Sequence, residues 1–344
     1  MSVITKKTLV VVGATGSQGG SVVRTFLNDE NLSAEWHVKG LTRNASSAAA
    51  LELSKLGAEI VTGSLDSVSD LKTAFQNATA IFAVTDFWSA IANPATAVAA
   101  QAQGKRLPVV AQEIEEQWGR NLASAAADIP KLKRFVFSSL PPVSELSKGK
   151  LVHVHHFDGK ANIVKHIQKT YPALWSKTSQ ILIGHYNTNL LQGSPLAPFY
   201  NPEKKQAEFF GPTGPDAPMP FIDAAFSTGP FVKALIIDEP VGTVLAAFDE
   251  WQSRRETIDF LSSLTGKKFA WVQKSAEELA AASPLGLEWP ESHLFVDEYG
   301  YFGQKVEGWK DTLTWPSDLK NQVRVRSVEG WLKEQDWSSF FIEA

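Results

Sequence analysis

The sequence predicts an α/β protein: a doubly wound parallel sheet followed by a smaller mixed α/β lobe. Three observations carry this. A short apolar run, Leu9 to Val12, leads into a glycine-rich turn and then the polar start of a helix. Strand-like and helix-like segments then alternate without hairpin signals, the pattern of βαβ units. After about Ile183 the pattern changes, and prolines and glycines crowd the stretch from Gly193 to Pro220.

The elements follow in order. Leu9 to Val12 is short and apolar enough for a buried parallel strand, and the helix after it sets Val22, Val23, Phe26 and Leu27 on one side. Glu35 to Thr42 reads as a second strand, Ala48 to Leu56 as a helix, and Ala58 to Val61 as a third strand. Asp66 or Ser67 can cap a helix whose Val68, Leu71 and Phe75 share a face. Thr79 to Val84 and Arg134 to Phe137 supply the fourth and fifth strands. Between them, Ala90 to Gly104 is rich in alanine and small polar residues and reads as a surface excursion, ahead of a helix around Gln112 to Ala126.

Beyond Gly193, prolines exclude regular helix or central strand as far as Pro220. Helices are expected over Phe221 to Ile237, Ser253 to Leu264, Ala276 to Ala282 and Ser327 to Gln335. A dinucleotide-binding unit over 1–185 and a substrate or partner lobe over 186–344, with interleaving segments, accommodate this pattern. Seven of the eleven tryptophans lie from Trp251 onward, most of them expected in the core and a few on a pocket wall.

Composition narrows the function. The 344 residues, 44% hydrophobic and 20% charged, describe an ordinary globular protein. No cysteine is present, which excludes disulfides, thiolate catalysis and cysteine-ligated metal. Lys6 and Lys7 precede an apolar run that enters the glycine turn directly, a strand rather than a signal peptide. No run approaches membrane-spanning length, so a cytoplasmic location is expected, with the nucleus a second one. A net charge of -4 and a pI near 6.0 argue against direct nucleic-acid binding.

The turn Gly13-Ala14-Thr15-Gly16-Ser17-Gln18-Gly19-Gly20 is an anion site by construction. Gly13 allows the tight bend, Gly16 lets backbone approach a pyrophosphate, and Gly19 lets the helix pack on the strand. The first amides of the helix lack internal partners, and its dipole adds positive charge there. The second strand ends in Thr42-Arg43-Asn44, where an NAD site usually places an acid. A guanidinium suits a 2′-phosphate instead, so NADP is favoured and NAD stays open.

Thr85-Asp86-Phe87-Trp88 follows the fourth strand, where it can cover a dinucleotide or wall a pocket. Ser138 and Ser139 follow the fifth. His156 and Lys160 stand four apart on one helical face. His153, His155 and His156 cluster, and His153 and His156 could share a face, but no acidic or cysteine partner completes a site, so no metal is expected.

These motifs occur in an order that resembles the NmrA-like family of atypical short-chain dehydrogenases. Tyr186-Asn187-Thr188-Asn189-Leu190-Leu191, Gly211-Pro212-Thr213 and Met219 to Asp223 also look like that family's C-terminal lobe. The resemblance implies a Rossmann domain with dinucleotide contacts from Gly13 to Gln18, Arg43, Thr85 to Phe87, Lys160 and Tyr186 to Asn189. A basic residue that follows the fourth strand in relatives is matched by Arg120. Short-chain dehydrogenases hold a catalytic tyrosine four residues before the lysine; here Lys160 matches the lysine and His156 takes the tyrosine's place. Imidazole can do acid–base work near neutral pH. Two functions are therefore expected as alternatives. One is an NADP(H)-dependent reductase of a small carbonyl- or aromatic-type substrate, with Lys160 and His156 catalytic. The other is a dinucleotide-sensing co-regulator that acts through a protein partner.

Overall fold

The computed structural model describes residues 6–341; the outer ends of both expected units, 1–5 and 342–344, lie outside the described residues. The strands in chain order begin with β1 (Lys7–Val12), β2 (Trp36–Thr42), β3 (Glu59–Thr62), β4 (Ala80–Ala83), β5 (Arg134–Ser139) and β6 (Thr178–Ile183). They continue with β7 (His185–Tyr186), β8 (Phe199–Asn201), β9 (Gln206–Gly211), β10 (Pro218–Ile222), β11 (Val244–Ala247), β12 (Glu250–Ser253) and β13 (Lys268–Gln273).

Seven of these form one parallel sheet in the order β11-β6-β5-β4-β1-β2-β3. It is the doubly wound Rossmann arrangement. The chain runs outward from β1 in one direction through β2 and β3, then in the other through β4, β5 and β6. A crevice opens at that reversal, beyond the carboxyl ends of β1 and β4. β1 is buried on both faces: Leu9 and Val11 join the core on one side, Val10 and Val12 the core on the other. Each such side chain contributes roughly 1.5–3 kcal/mol of burial.

Helices Ser17–Asn28 and Ala224–Lys233 pack together on one face. There, the Ser21 hydroxyl donates to the Phe226 carbonyl (2.9 Å) and accepts from the Gly229 amide (2.8 Å). Helices Val68–Ala74, Leu107–Ala127 and His155–Thr170 cover the other face. A methyl group on Gly119 would stand 2.3 Å from Ile163, so this glycine lets the last two helices meet. The third core, which includes Phe209, Phe221, Phe269, Phe295, Phe302, Trp331 and Trp337, lies in the C-terminal lobe.

Segments interleave: after β7–β10 the chain returns to place β11 at the edge of the large sheet, beside β6. Among the described residues no helix is long and apolar enough to cross a membrane.

Four readings of the sequence need correction. Ala90 to Gly104, expected as a surface excursion, is regular structure: it takes in the end of helix Phe87–Ala92 and the whole of helix Pro94–Gln103. Asp86 and Asn93 cap them through their side chains, Pro94 presets the first turn of the second, and Gly104 ends it at φ 62°. The 193–220 stretch does hold central strands: β9 lies between β13 and β8, and β10 between β12 and β7. β9 itself contains no proline. In β10, Pro218 is the first residue, and β7 pairs only with Phe221 and Ile222, so neither Pro218 nor Pro220 has a partner there. Phe221 and Ile222 belong to β10, and the helix after them starts at Ala224, capped by Asp223. Finally, Glu288–Tyr299 forms a helix that the sequence did not announce, and it builds half of the site.

Candidate active site at the sheet's reversal point

A cavity of about 770 Å³ opens at the carboxyl ends of β1 and β4. Gly13, at φ 65°, bends the chain out of β1, and its carbonyl accepts from the Gly16 amide (2.9 Å). A methyl group on Gly19 would stand 2.3 Å from the Gly13 carbonyl oxygen, so only glycine lets the helix sit this close. Gly16 is the N-cap of Ser17–Asn28 and no side chain caps the end, which leaves the first amides for a ligand. Gly13, Thr15, Gly16, Ser17, Gln18 and Gly19 line the cavity; Ala14 lies beneath, its amide bonded to the Leu41 carbonyl. The Gln18 amide donates to the Tyr186 hydroxyl (2.6 Å), and burial pushes that phenol up to about 12, so it stays neutral.

Other expected contacts divide. Arg43 stands exposed at the end of β2 and lines the cavity, whereas Asn44 Oδ1 accepts from the Ser46 amide (2.9 Å) and closes a local turn. Thr85, Asp86, Phe87, Ser138, Ser139 and Asn189 line it as well. Asn187 is fully buried with both amide atoms unpartnered, Thr188 is exposed, and neither reaches the cavity. Arg120 pairs with Glu116 (3.4 Å) and does not line it.

Lys160 and His156 are both buried in the first turns of His155–Thr170, and both line the cavity. Each is held by a fully buried glutamate. The Lys160 ammonium pairs with Glu115 of Leu107–Ala127, and the same carboxylate oxygen accepts from the Thr85 hydroxyl (2.8 Å). Gly159 makes room: a methyl group there would lie 3.0 Å from Glu115 Oε2.

His156 Nδ1 bonds to Glu288 Oε1. That carboxylate also accepts from the His156 amide (3.2 Å) and the His155 amide (3.1 Å), so it caps the helix at the positive end of its dipole. Because a carboxylate only accepts, it fixes a proton on Nδ1 and leaves Nε2 to face the cavity. The rings of Trp88 and Trp289 flank the imidazole (centroids 5.1 and 5.5 Å away) and stack on each other at 4.7 Å.

The neighbouring Glu291 holds His153 through its ring and its amide (2.7 Å). His155 Nδ1 meets Gln112, and burial lowers that imidazole below its ordinary range. The carboxylates that hold His153 and His156 thus come from a helix more than 130 residues further on. Among the described residues no group of three potential ligands could hold a metal.

Glu115, Glu288 and Arg254 escaped the sequence reading. Glu115 did leave a trace: Ala111, Glu115 and Gly119 recur every four residues, placing a carboxylate on a face of small residues.

The chain matches the NmrA-like family over residues 5–341, and it belongs to that family. The NmrA-like family domain-containing oxidoreductase cpsB of Aspergillus campestris is 26% identical over 343 residues, covering 94% of this chain and 92% of that one. The corresponding oxidoreductase ptmS of Penicillium ochrochloron is 27% identical over 321 residues, covering 88% of each. Among solved structures, NmrA, a negative transcriptional regulator, in complex with NADP gives a TM-score of 0.68 at 21% identity, covering 96% of this chain and 95% of that one. That likeness speaks to the fold.

Proposed function

We propose that this protein is an NADP(H)-dependent oxidoreductase that reduces a small carbonyl- or aromatic-type substrate in the cytoplasm. One observation carries the reading: the uncapped helix end, Arg43, Lys160 and His156 all border one cavity that also reaches aromatic residues of the C-terminal lobe. Its relatives' names, NmrA-like oxidoreductases, support it.

The residues fit a dinucleotide. Amides after Gly16 would hold the pyrophosphate and Arg43 the 2′-phosphate. Lys160, held in place by Glu115, would donate to the nicotinamide ribose. When bound, the reduced nicotinamide supplies a hydride to the substrate carbon. His156 Nε2 gives a proton to the substrate oxygen, while Glu288 stabilises the imidazolium through Nδ1. The imidazole is left neutral and is reprotonated from solvent, so one hydride and one proton account for the reduced product.

The test is NADPH oxidation with a panel of carbonyl, imine and quinone compounds, followed by loss of the reduced-nicotinamide absorbance. No oxidation above background across the panel refutes the enzyme. A second reading, a dinucleotide sensor with a protein partner, is favoured by the missing tyrosine and by the shape shared with NmrA. It requires tight NADP binding without turnover and partner association that follows the NADPH/NADP ratio.

A further inference from the structure

Arg254 occupies a place that is unfavourable for a cation on three counts. It is 5% exposed. It opens the helix Arg254–Thr265, where the dipole disfavours positive charge. No carboxylate stands within ion-pair distance of it among the described residues; Asp216 pairs with the exposed Arg255 next door (3.0 Å) instead. Among the described residues its one side-chain hydrogen bond runs from Nη2 to His185 Nε2 (2.9 Å), and Nη1 is buried with no partner there. Burial without a counter-ion pulls the guanidinium down to about 10, which still leaves it charged at neutral pH.

The surroundings point to an anionic ligand. Arg254 lines the cavity with Met219, Trp289, His293, Val296 and Tyr301. His185 accepts from the guanidinium and burial holds it well below the ordinary range, while burial pushes His293 down to about 4; both are neutral and leave Arg254 as the local charge. Lys160 already has Glu115, and Arg43 is exposed at the end of β2. A single planar fork beside apolar and aromatic side chains matches a carboxylate on a small hydrophobic body better than a phosphate, which takes more donors.

We propose that Arg254 receives a carboxylate of the substrate, so that the reductase read above acts on small carbonyl acids. The identification of the substrate class rests on that reading; the anion site does not need turnover.

The experiment is calorimetric titration of the NADP⁺ complex, in which no reduction can occur, with benzoate, phenylpyruvate and levulinate, each against its methyl ester. The acids should bind about ten-fold or more tightly than the esters, the worth of a charge-assisted hydrogen bond. Arg254→Gln should abolish that preference, Arg254→Lys should keep part of it, and NADP⁺ binding reports that each variant is folded. Esters that bind as well as the acids, no acid binding in the millimolar range, or acid affinity unchanged in Arg254→Gln would each overturn the proposal. Should Arg254→Gln not fold, the acid-to-ester ratio of the unaltered protein and of Arg254→Lys decides. NADPH oxidation is read separately. Acid-selective binding without oxidation keeps the Arg254 site and removes the reductase, and oxidation of neutral quinones without acid preference does the reverse.

Discussion

Replacing Glu288 by glutamine changes no more than one atom and one charge, yet it strikes the site twice. The carboxylate is fully buried and accepts three hydrogen bonds: from His156 Nδ1, from the His156 amide (3.2 Å) and from the His155 amide (3.1 Å). Glutamine has one accepting oxygen. Its NH₂ must face either the His155 amide, setting donor against donor, or the His156 side, where it repels the amide and forces the ring proton from Nδ1 to Nε2. In both cases the imidazolium loses its counter-ion. A hydrogen bond to a charged group is worth about 1.5–3 kcal/mol, which corresponds to a kcat lower by about 10- to 150-fold. Weakened capping should lower stability by about 1 kcal/mol. Steady-state NADPH oxidation measures the first, urea unfolding the second, and ¹⁵N spectra of the imidazole read the tautomer without any substrate. If Glu288→Gln kept kcat within about two-fold and left the His156 tautomer unchanged, the role assigned to His156 would be wrong.

Three further outcomes are expected. Arg43→Ala should weaken NADP⁺ binding by about ten-fold or more and leave NAD⁺ nearly untouched, as read by calorimetry; equal losses for both would remove the 2′-phosphate role. Lys160→Met leaves the buried Glu115 carboxyl without its cation and with the Thr85 hydroxyl as its remaining hydrogen-bond donor among the described residues, so urea unfolding should show a loss of about 3–5 kcal/mol, largely recovered in Lys160→Met/Glu115→Gln. Burial raises Asp249 to about 7, so between about pH 4 and 7 the folded state holds a proton that the unfolded state releases, and this group lowers stability as pH rises. Asp249→Asn keeps an acceptor for the Asp223 amide (2.8 Å), and its stability relative to the unaltered protein should be greater at pH 8 than at pH 4.

What could be read from the sequence was local. A four-residue apolar run, a glycine bend and a helix start are fixed by neighbours in the chain, so β1 to β5 and the turn from Gly13 to Gly19 are visible in the sequence. In the alanine-rich helix Pro94–Gln103 the sequence speaks for helix only through the start signals Asn93 and Pro94, because its buried residues, Thr96 and Ala100, make no apolar stripe. Helix Glu288–Tyr299 escaped for a deeper reason. It has no side-chain cap, carries Pro290 in its first turn, and turns Glu288 and Glu291 inward. Periodicity finds helices whose apolar face is buried; a helix that buries carboxylates against histidines gives the opposite pattern.

The sequence by itself determined the dinucleotide-binding turn and brought His156 and Lys160 onto one helical face, because one turn of helix is enough to do so. Only the tertiary structure decided what those side chains can do. Glu115 reaches Lys160 from 45 residues away, and Glu288 reaches His156 from 132 away. Such charges are tolerable in the interior only as partners, since an isolated buried ion loses far more hydration than packing returns. Arg254 has no such carboxylate among the described residues, and that contrast too exists only once the chain has folded.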